Sequence, residues 1–196
     1  MLKSALEGAE SVGAKTKLVH LYDYNYQGCT SCFSCKKRGN SCNGLCAVRD
    51  DLRELLEEVL ENEVLLLGSP IYLDDVTGAM RSFLERLLFP SISYDEFGKS
   101  TFTRRVSCGL IFTMGCPEKA VASDHYDVLF ENLVRLVGQL RGKTELVSAN
   151  ETYQFRDYSA MNAAMFDVEA RAKRRTEQFP IDCRNAFEMG ARLVAG

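Results

Sequence analysis

Apolar positions along this chain follow two rhythms, and their order is the first structural information it offers. At the amino end Leu2, Ala5, Leu6, Ala9 and Val12 recur at helical spacing with Gly13 as a stop, so residues 1–12 are expected to form an amphipathic helix. "TKLVHLY", 16–22, reads as a strand. Leu52, Leu55, Leu56, Val59 and Leu60 mark a helix over 51–61, with Asp50 and Asp51 placed to cap its free N–H groups and meet the positive end of its dipole. "EVLLLGSP" is a continuous apolar run ended by Gly68 and Pro70, as in a strand buried on both faces. Met80, Phe83, Leu84, Leu87 and Leu88 predict a helix over 77–88, and "VSCGLIFTMG", 106–115, a second buried strand. Leu129, Leu133, Leu136, Val137 and Leu140 predict a helix over 120–140, followed by a strand at 144–149, "TELVSA". The tail, 160–195, reads as two helices parted near Pro180, with Cys183, Ala186, Phe187, Gly190, Ala191 and Val194 in register in the second. Residues 89–105 show no period and are expected to be a surface insertion.

Helices alternating with apolar strands imply βα units: an α/β fold with a parallel sheet covered by helices on both faces. At 196 residues, without internal repeats or linkers, residues 1–196 read as one domain. A net charge of −3 argues against a nucleic-acid surface, and the basic run Lys173-Arg174-Arg175, followed by Glu177, reads as a solvated helix face. No apolar run approaches the roughly 20 residues of a membrane span, and charged residues interrupt the amino-terminal helix too often for an export signal. The expected compartment is the cytoplasm, where disulfides are rare.

Candidate chemistry concentrates in the cysteine-rich loop, 28–50. Cys29, Cys32 and Cys35 are spaced C-x2-C-x2-C, so that three thiolates can converge on one centre, and Cys42 and Cys46 compete as a fourth ligand. A [4Fe–4S] cluster, unliganded thiols packed as small apolar groups, zinc and disulfides all remain open for this spacing. Cys108 and Cys183 fall in core patterns, and Cys116 follows the strand end at Gly115. His20 and His125 stand in no metal or nucleophile motif and are read as structural.

"LLLGSPIYLDDVTGAMRSFLERL", 65–87, together with "CTSCFSCK…CAVRDDL", resembles the flavodoxin-like NAD(P)H-dependent FMN reductases and the related iron–sulfur flavoproteins. The resemblance implies a three-layer flavodoxin-like sandwich with FMN beyond the carboxyl ends of the strands. It places Ser69, Pro70, Ile71, Tyr72 and Leu73 along the flavin ring, with Tyr72 near its face, and Thr113, Met114 and Gly115 as another wall. This family normally opens with a strand and a loop that holds the FMN phosphate at a helix N-terminus. Here Met1 leads directly into that helix, so the first strand and the phosphate loop are missing from the sequence. In the order 2-1-3-4-5 the lost strand is an inner one. The expectation is a vacant slot with two open strand edges, to be filled by polypeptide upstream of Met1 or by another segment or subunit.

The function so implied is an FMN-dependent oxidoreductase passing electrons from NAD(P)H to a quinone, flavin or other acceptor. No catalytic acid or base is required, since the chemistry belongs to the cofactor. The alternatives are an iron–sulfur flavoprotein electron carrier, a cluster or zinc protein without flavin, and a cofactor-free relative acting as a binding domain. The resemblance also implies a homodimer or homotetramer, with Phe89, Ile92, Tyr94, Phe97 and Phe102 of the insertion available to an interface.

Overall fold

The apolar runs around Leu66 and Leu110 pair with each other, and the remainder of the chain is arranged on that pairing. In the computed structural model, which describes residues 1–39 and 44–196, β1 (Val64–Tyr72) lies parallel to β3 (Val106–Thr113) in an unbroken register from Val64↔Ser107 to Pro70↔Thr113. β3 in turn pairs in parallel with β4 (Arg141–Ala149). A two-residue strand, β2 (Asp75–Val76), folds back antiparallel on the end of β1, giving the order β2-β1-β3-β4.

Side-chain alternation on these strands divides the core in two. Leu67, Ile71, Cys108, Leu110 and Phe112 face a layer built from α2 (Leu52–Glu61), α3 (Gly78–Leu88) and α4 (Tyr126–Val137). Val64, Leu66, Ile111 and Val147 face α1 (Leu2–Ser11) and α6 (Phe179–Ala195). The result is the three-layer sandwich expected. α5 (Val168–Glu177) is capped by the Asp167 carboxylate, which accepts from Ala170 N at 2.9 Å, and ends just before α6. Pro180 sits in the first turn of α6, where its missing N–H has no intrahelical partner to lose.

Several details depart from the pattern. The buried face of α6 is Asp182, Ala186, Met189, Gly190 and Leu193, so Phe187 and Val194 are turned further outward than their spacing suggested. Arg174 and Arg175 are not simply solvated: Arg174 Nε donates to Asn150 O at 2.5 Å, and the Arg175 guanidinium lies 4.1 Å from the centre of the Phe179 ring. Asp51 forms no side-chain cap on α2; its Oδ2 accepts from Asn25 N at 2.9 Å. The 89–105 segment is a surface excursion with one bridge, Ile92↔Ser100, but Phe102 and Ser91 are buried. Among the described residues, no helix is long and apolar enough to cross a membrane.

The largest correction concerns 16–22. Val19 and Leu21 do pack on the core, but the segment carries no strand ladder, and Leu21–Asp23 forms a 3-10 turn. A strand needs a neighbour to bond with. The nearest candidate, the outer edge of β1, lies across a groove of about 980 Å³ lined by Leu18, Val19 and His20 on one side and Val64, Leu66 and Gly68 on the other.

α1 and α6 cross at two glycines facing each other's backbone. A Cβ on Gly8 would stand 1.9 Å from Phe187 O, and one on Gly190 would stand 1.9 Å from Ala5 O. Either Gly8→Ala or Gly190→Ala should therefore push the helices apart. Overpacking of this kind costs about 1–3 kcal/mol, equivalent to a melting temperature lower by roughly 2–12 °C in a chain of this size. Thermal denaturation followed by circular dichroism measures it, with Gly138→Ala, where nothing lies within 4 Å, as the neutral control.

Candidate functional site

Parallel pairing brings the ends of β1 and β3 to the same level, so Ser69 lies opposite Phe112 and Pro70 opposite Thr113. The two segments picked from the sequence as flavin walls are thus adjacent. The path differs from expectation in one respect. Ser69, Pro70, Ile71 and Tyr72 still belong to β1, and the chain turns only at Leu73 and Asp74, both at positive φ (48° and 60°), into the β2 hairpin. Tyr72 is 60% exposed and Leu73 99% exposed, whereas Ser69, Ile71 and Met114 are buried.

The Ser69 side chain has a structural task. Its Oγ accepts from Thr77 N at 3.1 Å and donates to Pro70 O at 2.8 Å, while Thr77 Oγ1 accepts from Met80 N at 3.3 Å. These bonds fasten the start of α3 to the end of β1. The hairpin tip is held from the other side by Tyr126, whose hydroxyl donates to Asp74 Oδ1 at 2.7 Å; that carboxylate pushes the phenol up to about 12. Beyond β3, Met114 N donates to Ala149 O and Thr152 N to Met114 O, each at 3.0 Å, which extends the ladder into the loops. The buried Arg171 of α5 then donates to Thr152 O at 2.7 Å and Gly115 O at 2.9 Å. Sequence reasoning missed Arg171, which lies in a mostly polar helix and gives no pattern to notice.

The large groove opens at this same edge, where Tyr22, Pro70, Tyr72, Thr77 and Ala79 line it. Its volume lies in the range of cofactor clefts. Of the segments expected to flank the flavin, Pro70 and Tyr72 line this groove, whereas Thr113, Met114 and Gly115 do not border it.

The cysteine loop sits elsewhere, against the far end of α3. Cys29, Cys32, Cys35 and Cys46 all border one small cavity of about 10 Å³ together with Glu85, Arg86, Phe89 and Pro90. Cys42 lies outside the described residues. Arg86 organises the loop: it is 1% exposed, pairs with Asp50 through two bonds of 2.8 and 2.9 Å, and donates to Gln27 O at 3.0 Å and to Cys46 Sγ at 2.9 Å. The Arg86 guanidinium holds the Asp50 carboxyl below the usual carboxylate range. Lys36 Nζ donates to Phe89 O and Ile92 O, each at 2.6 Å, and its burial lowers the ammonium pKa. Burial raises the Cys35 thiol, whereas the backbone N–H of Ser34 lowers the exposed Cys32 thiol.

The four described thiols of this loop border one cavity without converging on a point, and their packing does not fit a four-iron cluster. The cavity they share holds about one water, and among the described residues no group of three or more His, Cys, Asp or Glu side chains is placed to bind a metal. Arg86 was missed in the sequence although a signal was present: a cation three residues after Phe83, beside Leu87, lies toward the apolar face of its helix.

A mainly parallel sheet covered by helices on both faces is the architecture of the flavodoxin-like folds. The sequence profile for "NADPH-dependent FMN reductase" matches residues 1–116, more than half of the chain, and the chain belongs to that family. An iron–sulfur flavoprotein of Archaeoglobus fulgidus is 35% identical over 88 residues, 45% of this chain and 38% of the relative, so the matched part spans well under half of that protein. Among solved structures, the NAD(P)H:quinone oxidoreductase from Methanothermobacter marburgensis aligns with a TM-score of 0.64 at 15% identity, covering 98% of this chain and 87% of that one. An FMN-dependent NADH-azoreductase from Bacillus anthracis, solved with FMN, aligns at 0.59 and 14% identity over 98% and 89%. At such identities the structural likenesses establish the fold.

Replacing Arg86 by Met would leave Asp50 charged without its partner; loss of one member of such a pair costs about 3–5 kcal/mol. Urea denaturation of the two proteins measures this. Because the Asp50 value is depressed in the folded state, its stabilisation is present above the unfolded value of about 3.9 and lost as pH falls through the folded value. The stability gap between native protein and Arg86→Met should accordingly narrow as the pH is taken from 6 toward 3.

Proposed function

We propose that this protein is an FMN-dependent oxidoreductase that takes electrons from NAD(P)H and delivers them to a quinone, flavin or similar small acceptor. The observation that carries this reading is the pairing of the ends of β1 and β3, which sets Ser69–Leu73 beside Thr113–Gly115, with the exposed Tyr72 lining the end of the groove. Membership of the FMN reductase family supports it, as does the FMN in the azoreductase that shares the fold.

Within this site the backbone around Pro70–Leu73 and Thr113–Gly115 would hold the polar edge of the ring, and Tyr72 would cover its face. Bound FMN would supply the redox chemistry. The Ser69–Thr77 bonds hold the first wall to α3 and the Arg171 bonds hold the second to α5, while the β1–β3 ladder sets their separation. The first turn of α1 carries no acidic residue and no side-chain cap, which suits a phosphate near its N–H groups. A single domain acting in the cytoplasm as a homodimer or homotetramer belongs to the same reading, with exposed Tyr94 and Phe97 available to an interface.

A second reading, an iron–sulfur flavoprotein with a cluster on Cys29, Cys32, Cys35 and either Cys42 or Cys46, is favoured by the name of the Archaeoglobus relative and by the four described thiols sharing one cavity. It requires that loop to repack around the cluster. Iron and sulfide analysis of anaerobically purified protein separates the two readings.

The main reading is tested by titrating the protein with FMN and recording flavin fluorescence, then following NADH and NADPH oxidation with a quinone acceptor. Tyr72→Ala should weaken FMN binding by about tenfold, equivalent to ~1.4 kcal/mol. Absence of FMN binding, or binding indifferent to Tyr72→Ala, would overturn the proposed site.

A further inference from the structure

The base of the 89–105 excursion is a helix end. α3 runs on into a 3-10 turn over Phe89–Ser91, and the last carbonyls of a helical run lack N–H partners within it. Three bonds reach this base from the cysteine loop, and all three leave one atom. Lys36 Nζ donates to Phe89 O at 2.6 Å, to Pro90 O at 3.1 Å and to Ile92 O at 2.6 Å. An ammonium carries three N–H groups, so its donors are fully used. Its charge also sits at the negative end of the helix dipole.

Aromatic rings complete the seat. The ammonium stands 4.8 Å from the centre of the Phe89 ring and 5.3 Å from that of Tyr94. Phe33, from the loop side, meets these two rings edge-on at 6.0 and 6.3 Å between centroids, and Phe89 meets Tyr94 at 6.1 Å. Cations are drawn to ring faces, and rings to one another's edges, at such distances. Phe33 stands in the left-handed region (φ 55°), which a bulky residue occupies only where its surroundings hold it. Lys36 N donates to Phe33 O at 2.9 Å, so the turn that places the ring also places the ammonium.

The seat joins two segments of different character. Cys35, next to Lys36 in the chain, borders the thiol cavity of about 10 Å³ together with Phe33, Phe89 and Pro90. On the other side, Ser91 O accepts from Thr101 N at 2.6 Å and from Thr101 Oγ1 at 3.1 Å, and Ser93 N donates to Lys99 O at 2.9 Å. These bonds close the excursion as a hairpin whose exposed residues include Tyr94 and Phe97. Loop and hairpin therefore separate only by breaking one shared set of contacts, which is the condition for a cooperative local unit.

We propose that Lys36 is a latch that makes the cysteine loop and the 89–105 excursion open and close as one unit, so that a change at Cys35 is felt at the surface carrying Tyr94 and Phe97. By linkage the coupling runs both ways, and loosening the excursion also loosens the loop. The inference is independent of the flavin reading, and its test contains no flavin.

The experiment perturbs each side and reads the other. In Lys36→Met, amide hydrogen exchange at Ser93 and Thr101 should quicken by about tenfold, the scale of losing hydrogen bonds to a charged group. Exchange at Leu67 and Leu110, in the sheet, should stay the same, which separates local opening from loss of the fold. Cys35→Phe, too large for the thiol cavity, should quicken Ser93 and Thr101 in the same way, whereas Cys32→Phe, at an exposed position, should not. In the reverse direction, Tyr94→Ala should speed alkylation of Cys35 by iodoacetamide by about two- to fivefold, as expected for one cation–π contact, with Cys32 in the same digest as reference. Phe97→Ala, at a fully exposed side chain outside the ring triad, should alter neither reading. Unchanged exchange at Ser93 and Thr101 in Lys36→Met or Cys35→Phe would overturn the proposal, and so would Cys35 alkylation indifferent to Tyr94→Ala. If the sheet amides of Lys36→Met quicken as well, the Cys35→Phe and Tyr94→Ala results decide.

Discussion

The parallel ladder between β1 and β3 is the constraint on which the other features depend. Its register sets Pro70 beside Thr113, so two loops far apart in sequence open at one level. The same alternation that turns Leu67 and Leu110 toward α2–α4 turns Leu66 and Ile111 toward α1 and α6. It also leaves one edge of β1 facing a groove rather than a strand. Cleft, layers and bare edge are three consequences of one hydrogen-bonding pattern.

Two buried arginines carry the polar architecture around that ladder. Arg86 ties Asp50, Gln27 and Cys46 to α3, and Arg171 ties the loops after β3 and β4 to α5. Both present planar, divided donors to several oxygens at once, a role a lysine ammonium fills less well. A buried charge is tolerated because its bonds are made inside the protein rather than to water. The cysteine loop thereby depends on a cation from the helix that follows the candidate flavin strand, although its cavity and the groove mouth are separate.

Periodicity made most of the fold legible. The positions around Leu55, Leu84 and Leu133 gave helices, and the runs around Leu66 and Leu110 gave strands, because burial on one face or on both leaves a direct mark on residue type. Val19 and Leu21 carried the same mark and face the core, yet 16–22 forms no ladder. Apolar alternation reports which way side chains point; a strand exists only when a second backbone lies alongside. Ser69 and Tyr72 were singled out through resemblance, but the sequence could not tell that the Ser69 hydroxyl fastens the start of α3 while the Tyr72 side chain is exposed.

What the sequence determined by itself is the α/β layering, the family and the candidate flavin segments, since each is written in local spacing and motif. Tertiary structure decided the rest. It placed Cys46 under Arg86 instead of in an open ligand set, raised Arg171 from a polar helix to a clamp on Gly115, and let two glycines, Gly8 and Gly190, bring α1 against α6. These depend on which distant groups come within bonding distance, and that is fixed by the packing of whole layers, which no local window of residues contains.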